Sequence, residues 1–334
     1  MVMVNLFEAK SFAEEILFPI EGIEGIGLSE KREVINIYVD KLTPELLSLI
    51  PAQIDNYNIE IYETGKFYAF EDRKIKWRPA PGGISIGHPN VTAGTLGCVV
   101  IDNISGKRVI LSNNHILANQ DSIQNSRANI GDNIYQPGVA DKGTETDTIA
   151  KLERWVKLDE NKCVEWGKED ECLRWERGIN FVDAAIAMPL NDDDISDEIL
   201  EIGKITSIAD SEEGMRIKKS GRTTGLTTGA IVDNNYTVKV NYRGFQAEFY
   251  NQILSTYGMC AGGDSGSAVL TEEDNKLVGL LYAGNMYGSL IACKIRDVFG
   301  ALNIGKQKSF APLLLMAGFG LLLIPLLRKK SRKI

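Results

Sequence analysis

The chain has 334 residues, 44% of them hydrophobic and 25% charged, which is enough for two domains and an appendage. The net charge is −8, and most basic residues before the last ten are interspersed with acids, which argues against a nucleic-acid partner. Five cysteines, and an N-terminus whose residues 1–10 lack a charged segment leading into an apolar core, favour a reducing compartment and a cytoplasmic placement. No cysteine or histidine spacing suggests a metal site, and nothing calls for a cofactor.

Residues 1–64 read as a small α/β domain. Residues 9–18 carry helical periodicity and stop before Pro19, and residues 33–39 alternate as a strand. Thr43-Pro44-Glu45 starts a second helix with Thr as cap and Pro in the first turn; Pro51 ends it, and 58–62 reads as another strand. Residues 65–90 read as a linker, basic and aromatic at first, then rich in Pro and Gly. Its His88, in Gly87-His88-Pro89, is expected in an exposed turn with a structural or solvated role.

From residue 91 to 305 the texture is short strands separated by turns, an all-β pattern. Strands are expected at 94–101 and 108–111; the second leads into Ser112-Asn113-Asn114-His115-Ile116-Leu117, with a histidine at the end of an apolar strand. Residues 157–177 form a charged surface insertion, expected as a hairpin, in which Cys163 and Cys172 could pair on meeting an oxidant. Phe181-Val182-Asp183-Ala184-Ala185 sets an Asp in an apolar strand, which is costly unless its carboxylate is hydrogen-bonded. Asp183 is therefore the candidate to orient an imidazole, and Asp147, in polar surroundings, is the weaker one. Residues 236–242 and 245–254 read as a hairpin around Arg243-Gly244, and 296–302 as a closing helix.

The strongest signal is Gly262-Gly263-Asp264-Ser265-Gly266-Ser267. Glycines allow a tight turn that projects the Ser265 hydroxyl and leaves the N–H groups of Gly263 and Ser265 free to face a developing oxyanion. Near the C-terminus, residues 311–327 carry no charge and precede a basic tail, 328–334, so this run is expected to be a transmembrane helix anchoring the chain in a membrane.

His115, Asp183 and Ser265 follow one another in the order that resembles the trypsin-like, chymotrypsin-fold serine peptidases. Gly-Gly-Asp-Ser-Gly-Ser matches that family's nucleophile motif, while Asn113 and Asn114 replace the small residue and Ala usual before the histidine. Ala93-Gly94-Thr95-Leu96-Gly97, Leu111-Ser112-Asn113-Asn114-His115 and Gly221-Arg222-Thr223-Thr224-Gly225 are similar to the narrow-leaf-type bacterial and plant subgroup.

The resemblance implies a mainly β fold of two perpendicular six-stranded barrels, with the active site between them. It also implies hydrolysis of protein or peptide substrates by His115 as base, Asp183 as its orienting acid and Ser265 as nucleophile, with an oxyanion hole at Gly263 and Ser265. It sets Met259 at the floor of the primary pocket and Tyr282, Ala283 and Gly284 along its wall, favouring medium-sized apolar side chains. Cys293 is the candidate partner of Cys260. No cleavage site stands before Ile84, so a freed N-terminus is not expected to pair with Asp264. The alternative is a catalytically weak, peptidase-like module that binds partner proteins at a membrane.

Overall fold

The computed structural model describes residues 5–66, 72–166 and 172–305. These divide into two compact units, one up to Asp72 and one from Arg73 onward.

In the first unit, the Leu6–Leu17 helix begins at Asn5, whose side chain accepts from the Glu8 N–H while the Glu8 carboxylate accepts from the Asn5 N–H. This reciprocal cap satisfies backbone donors that the first turn leaves unpaired. Thr43 caps the Pro44–Leu49 helix in the expected way. Strand Val34–Val39 is flanked by Ile23–Ser29, antiparallel, and by Tyr57–Glu63, parallel, with Gln53–Ile54 at the outer edge. Ile35, Ile37, Val39, Ala9, Ala13 and Leu17 form the buried centre of this unit.

The second unit is mainly β. A six-stranded sheet runs in the order Asn133–Tyr135, Thr148–Trp155, Ala185–Pro189, Arg108–Ser112, Cys98–Asp102, Ile304–Gly305. It closes, as expected for this half: Gly87 pairs with Tyr135 at one edge, and the adjoining Ser85–Ile86 pairs with Gly94–Thr95, which runs through Leu96 and Gly97 into Cys98–Asp102. In the other half, six strands also close. Arg216–Gly221 pairs with Gly225–Tyr242, which pairs with Phe245–Ser255, then Leu290–Lys294, Lys276–Gly284 and Ala268–Thr271, which returns to Arg216–Gly221. Closure removes the sheet edge within the ring, while the Gly225–Tyr242/Phe245–Ser255 hairpin extends beyond it and is joined there by Ile179–Asn180. The expected insertion is a hairpin of Lys162–Trp166 against Cys172–Glu176, and Cys163 and Cys172 are joined as a disulfide. The closing helix is Ile295–Leu302.

Two expectations are corrected here. Residues 73–90 are not a linker. Ala80–Gly82 pairs with Ile195–Ile199, Ser85–Ile86 pairs with Gly94–Thr95, and Ile84 and Ile86 are fully buried. Pro and Gly in this run shape strand ends and close approaches rather than a flexible tether. His88 is not exposed; it is buried, with Nε2 3.2 Å from Asp132 Oδ2. Among the described residues no helix is long and apolar enough to cross a membrane. The expected span at 311–327 lies outside the described residues.

Candidate active site

His115 lies in a single helical turn, Asn114–Leu117, that follows the Arg108–Ser112 strand. The two asparagines that depart from the family pattern hold this turn in place. Asn113 donates to the Asp183 carbonyl (2.7 Å), and Asn114 donates to the carbonyls of Asp121 and Val156. Asp183 stands just before the Ala185–Pro189 strand, which pairs with Arg108–Ser112 through Ala185 and Ser112. The pairing of these two strands thus delivers the carboxylate to the imidazole.

Asp183 is fully buried. Its Oδ2 lies 2.6 Å from His115 Nδ1, and its Oδ1 accepts from the His115 backbone N–H at 3.2 Å. An ionised carboxylate only accepts, so Nδ1 carries the proton and Nε2 is left with a free lone pair. Oδ2 also accepts from the Tyr242 hydroxyl, at 2.8 Å. Asp147 is elsewhere, tied to Lys76 and to Thr144, so it does not compete for the imidazole.

The Ser265 turn is shaped by its glycines. Gly263 and Gly266 both have φ 98°, and a Cβ on Gly266 would lie 2.2 Å from both Ser112 Oγ and the Thr95 carbonyl oxygen. Contacts that close exclude any side chain. The turn is fastened to the first half of the unit, because Thr95 N–H donates to the Ser265 carbonyl and the Thr95 hydroxyl to the Gly263 carbonyl. The N–H groups of Gly263 and Ser265 have no acceptor among the described residues. The Ser265 hydroxyl donates to the Tyr282 carbonyl at 3.2 Å.

Two neighbouring cavities share Ala283, Gly284 and Asn285 along one wall. The larger, about 600 Å³, is lined by His115, Tyr236, Tyr242 and Tyr282. The smaller, about 90 Å³, is lined by Ser265, Cys260, Ala261 and Gly262. His115 and Tyr282 line the larger cavity and Ser265 the smaller, with Ala283 and Gly284 on the wall common to both; Tyr282, expected on the wall of the pocket beside Ser265, does not line the small cavity. Met259 is different. It is fully buried in a cluster with Ile217, Ile253 and Val278, with its sulfur packed at Gly229, and it does not line the small cavity. Cys260 takes that place; a Cβ on Gly284 would lie 2.4 Å from its sulfur. Burial pushes the Cys260 thiol up to about 11. Cys260 and Cys293 are both free thiols, contrary to the expected pairing. Cys293 instead lies behind the carboxylate, where its sulfur accepts the Asp183 N–H at 3.2 Å.

Sequence reasoning also missed Lys219. It shares a face of the Arg216–Gly221 strand with Ile217, and that period-two placement was the available signal. Its ammonium is fully buried, donates to Thr224 Oγ1 and to the Gly225 carbonyl (2.9 Å), and lies 3.5 Å from Asp264 Oδ2. Burial pulls the Lys219 ammonium below its usual range, and Asp264 opposes this. Asp264 further accepts from the backbone N–H groups of Thr223, Thr224 and Ala261. An internal cation thus pairs with the residue before Ser265.

No family model matches the sequence, and no curated protein matches it. Among solved structures, a Nocardiopsis protease (NAPase) has 16% identity and a TM-score of 0.45, spanning 67% of this chain and 97% of its own. A glutamic-acid-specific serine protease using a histidine triad in substrate binding has 21% identity and a TM-score of 0.45, spanning 67% and 98%. Thermobifida fusca protease A has 16% identity and a TM-score of 0.43, spanning 67% and 96%.

Proposed function

We propose that this chain is a serine endopeptidase of the trypsin-like kind. The observation that carries the reading is the buried Asp183 carboxylate 2.6 Å from His115 Nδ1, beside a cleft wall shared with Ser265. In this reading Ser265 Oγ attacks the scissile carbonyl and passes its proton to His115 Nε2, which returns it to the leaving amine. Asp183 fixes the tautomer and stabilises the imidazolium. The N–H groups of Gly263 and Ser265 receive the oxyanion, each worth about 3 kcal/mol in the transition state.

The test is labelling of the full chain with a serine-directed phosphonate. The unsubstituted protein is expected to label and Ser265→Ala to remain unlabelled; labelling that survives the substitution removes Ser265 from this role. The second reading, a weakly catalytic module that binds partner proteins at a membrane, is favoured by the Ser265 hydroxyl donating to Tyr282 rather than to the imidazole. Absence of both labelling and peptide turnover in the unsubstituted protein would favour that module.

The membrane tether remains part of the proposal through residues 311–327 with their basic flank. The Cys163–Cys172 disulfide favours an oxidising compartment for the catalytic unit, opposite to the cytoplasmic placement. Protection of that unit from added protease in intact cells supports the cytoplasmic side; cleavage supports the other.

A further inference from the structure

We propose that Tyr242 is a positioning residue for the His115–Asp183 pair, delivered to the buried carboxylate by the long Gly225–Tyr242/Phe245–Ser255 hairpin. This rests on the peptidase reading of the same site. Asp183 Oδ2 receives two donors, His115 Nδ1 at 2.6 Å and the Tyr242 hydroxyl at 2.8 Å, while Oδ1 takes the His115 backbone N–H. The phenol therefore fixes which lone pair faces the imidazole.

Its own placement is determined from three sides. Its ring stacks on Phe245 with centroids 5.0 Å apart and planes 10° apart. It meets His115 edge-on at 5.8 Å and 67°. The adjoining turn is tied down where the Arg243 N–H donates to Gln120 Oε1, on the loop that follows His115. Burial, and then the Asp183 charge, push the Tyr242 phenol well above its usual range, so it serves only as a donor.

Of the other ionisable groups, Tyr282 and Cys293 act on the Tyr242 phenol, and the Lys239 and Arg243 cations line the same cavity as His115. Burial also holds Tyr282 and Cys293 neutral. The Tyr282 hydroxyl is buried without a partner among the described residues, so it does not reach the carboxylate.

A hydrogen bond to a carboxylate disperses charge that would otherwise act on the imidazolium. Removing the phenol leaves a more basic Asp183 and favours protonated His115. The chain has two histidines, so each imidazole can be followed by nitrogen NMR on the full chain, with His88 as the internal control for an intact fold. Tyr242→Phe keeps the stacked ring. It is expected to move the His115 titration up by about one pH unit while leaving His88 unchanged. Turnover should fall roughly tenfold in kcat with KM little altered. In an Asp183→Asn background the same substitution should add little.

In the unsubstituted protein the Tyr242 hydroxyl proton should exchange slowly, a measurement that does not depend on the variant folding. An unchanged His115 titration in folded Tyr242→Phe, or a fast-exchanging hydroxyl proton, overturns the assignment. A shifted titration in a chain that neither labels nor hydrolyses peptides would sustain this role while removing the peptidase reading.

Discussion

The ammonium of Lys219 stands 3.5 Å from Asp264 Oδ2, and neither side chain reaches solvent. A buried pair of this kind is costly to break, because the survivor is left as an uncompensated charge. Asp264 also holds Thr223, Thr224 and Ala261 by their backbone N–H groups, so the pair sits under both walls of the Ser265 turn. Lys219→Met is expected to lower unfolding free energy by about 3 kcal/mol and to slow phosphonate labelling. Lys219→Met with Asp264→Asn should regain part of the stability. Denaturant midpoints decide it; a single variant as stable as the unsubstituted protein would remove the pair from any such role.

Asp183→Asn should leave the fold intact and cut turnover by roughly 10⁴, since an amide can hold the wrong imidazole tautomer. Asp147→Asn should change turnover little, because Asp147 is engaged by Lys76 and Thr144. Steady-state kinetics on the two variants tests the choice, and the opposite ranking would reassign the acid.

The small cavity beside Ser265 holds no charged side chain, and an unpaired buried charge costs several kcal/mol. Cleavage after small to medium apolar residues is therefore expected in a peptide-library profile, and a clear preference for Lys or Arg would contradict it. Cys260→Ala should widen the accepted range toward larger apolar residues. Met259→Asp, which sets a carboxylate in the core cluster, should unfold the chain rather than admit basic residues.

Burial pushes the Asp102 carboxyl up, but donors from Ser105, Arg154 and Ile104 outweigh it and leave it at about 2. A carboxyl depressed by folding contributes stability that is present above its ordinary range, near 3.8, and is lost as pH falls through about 2. Asp102→Asn should flatten the dependence of the denaturation midpoint on pH in that window. An unchanged slope would show that Asp102 is not the group responsible.

Local chemistry carried much of the sequence reading. Asn113-Asn114-His115, Asp183 and the Ser265 turn each stood out by residue type and spacing, and the Arg243-Gly244 hairpin and the closing helix followed from periodicity. What failed depended on partners distant in sequence. Residues 73–90 resemble a tether until Ala80–Gly82 finds Ile195–Ile199. His88 looks solvated until Asp132 and the Ile116 carbonyl reach it. Met259 and Cys260 are adjacent, and one step of backbone decided which lines the cavity. Tyr242 carried no signal of its own, because its partner Asp183 lies 59 residues away.

The last described strand, Ile304–Gly305, pairs with Asp102 and Ile101 rather than with the closed ring that the preceding residues complete. The same seam is braced by Arg154, which donates to the Leu302 carbonyl and to Asp102. The Ile295–Leu302 helix that leads into this seam follows the ring strand Leu290–Lys294 directly, so the end of the described chain is joined to the half that carries Ser265 along the backbone and to the half that carries His115 by hydrogen bonds.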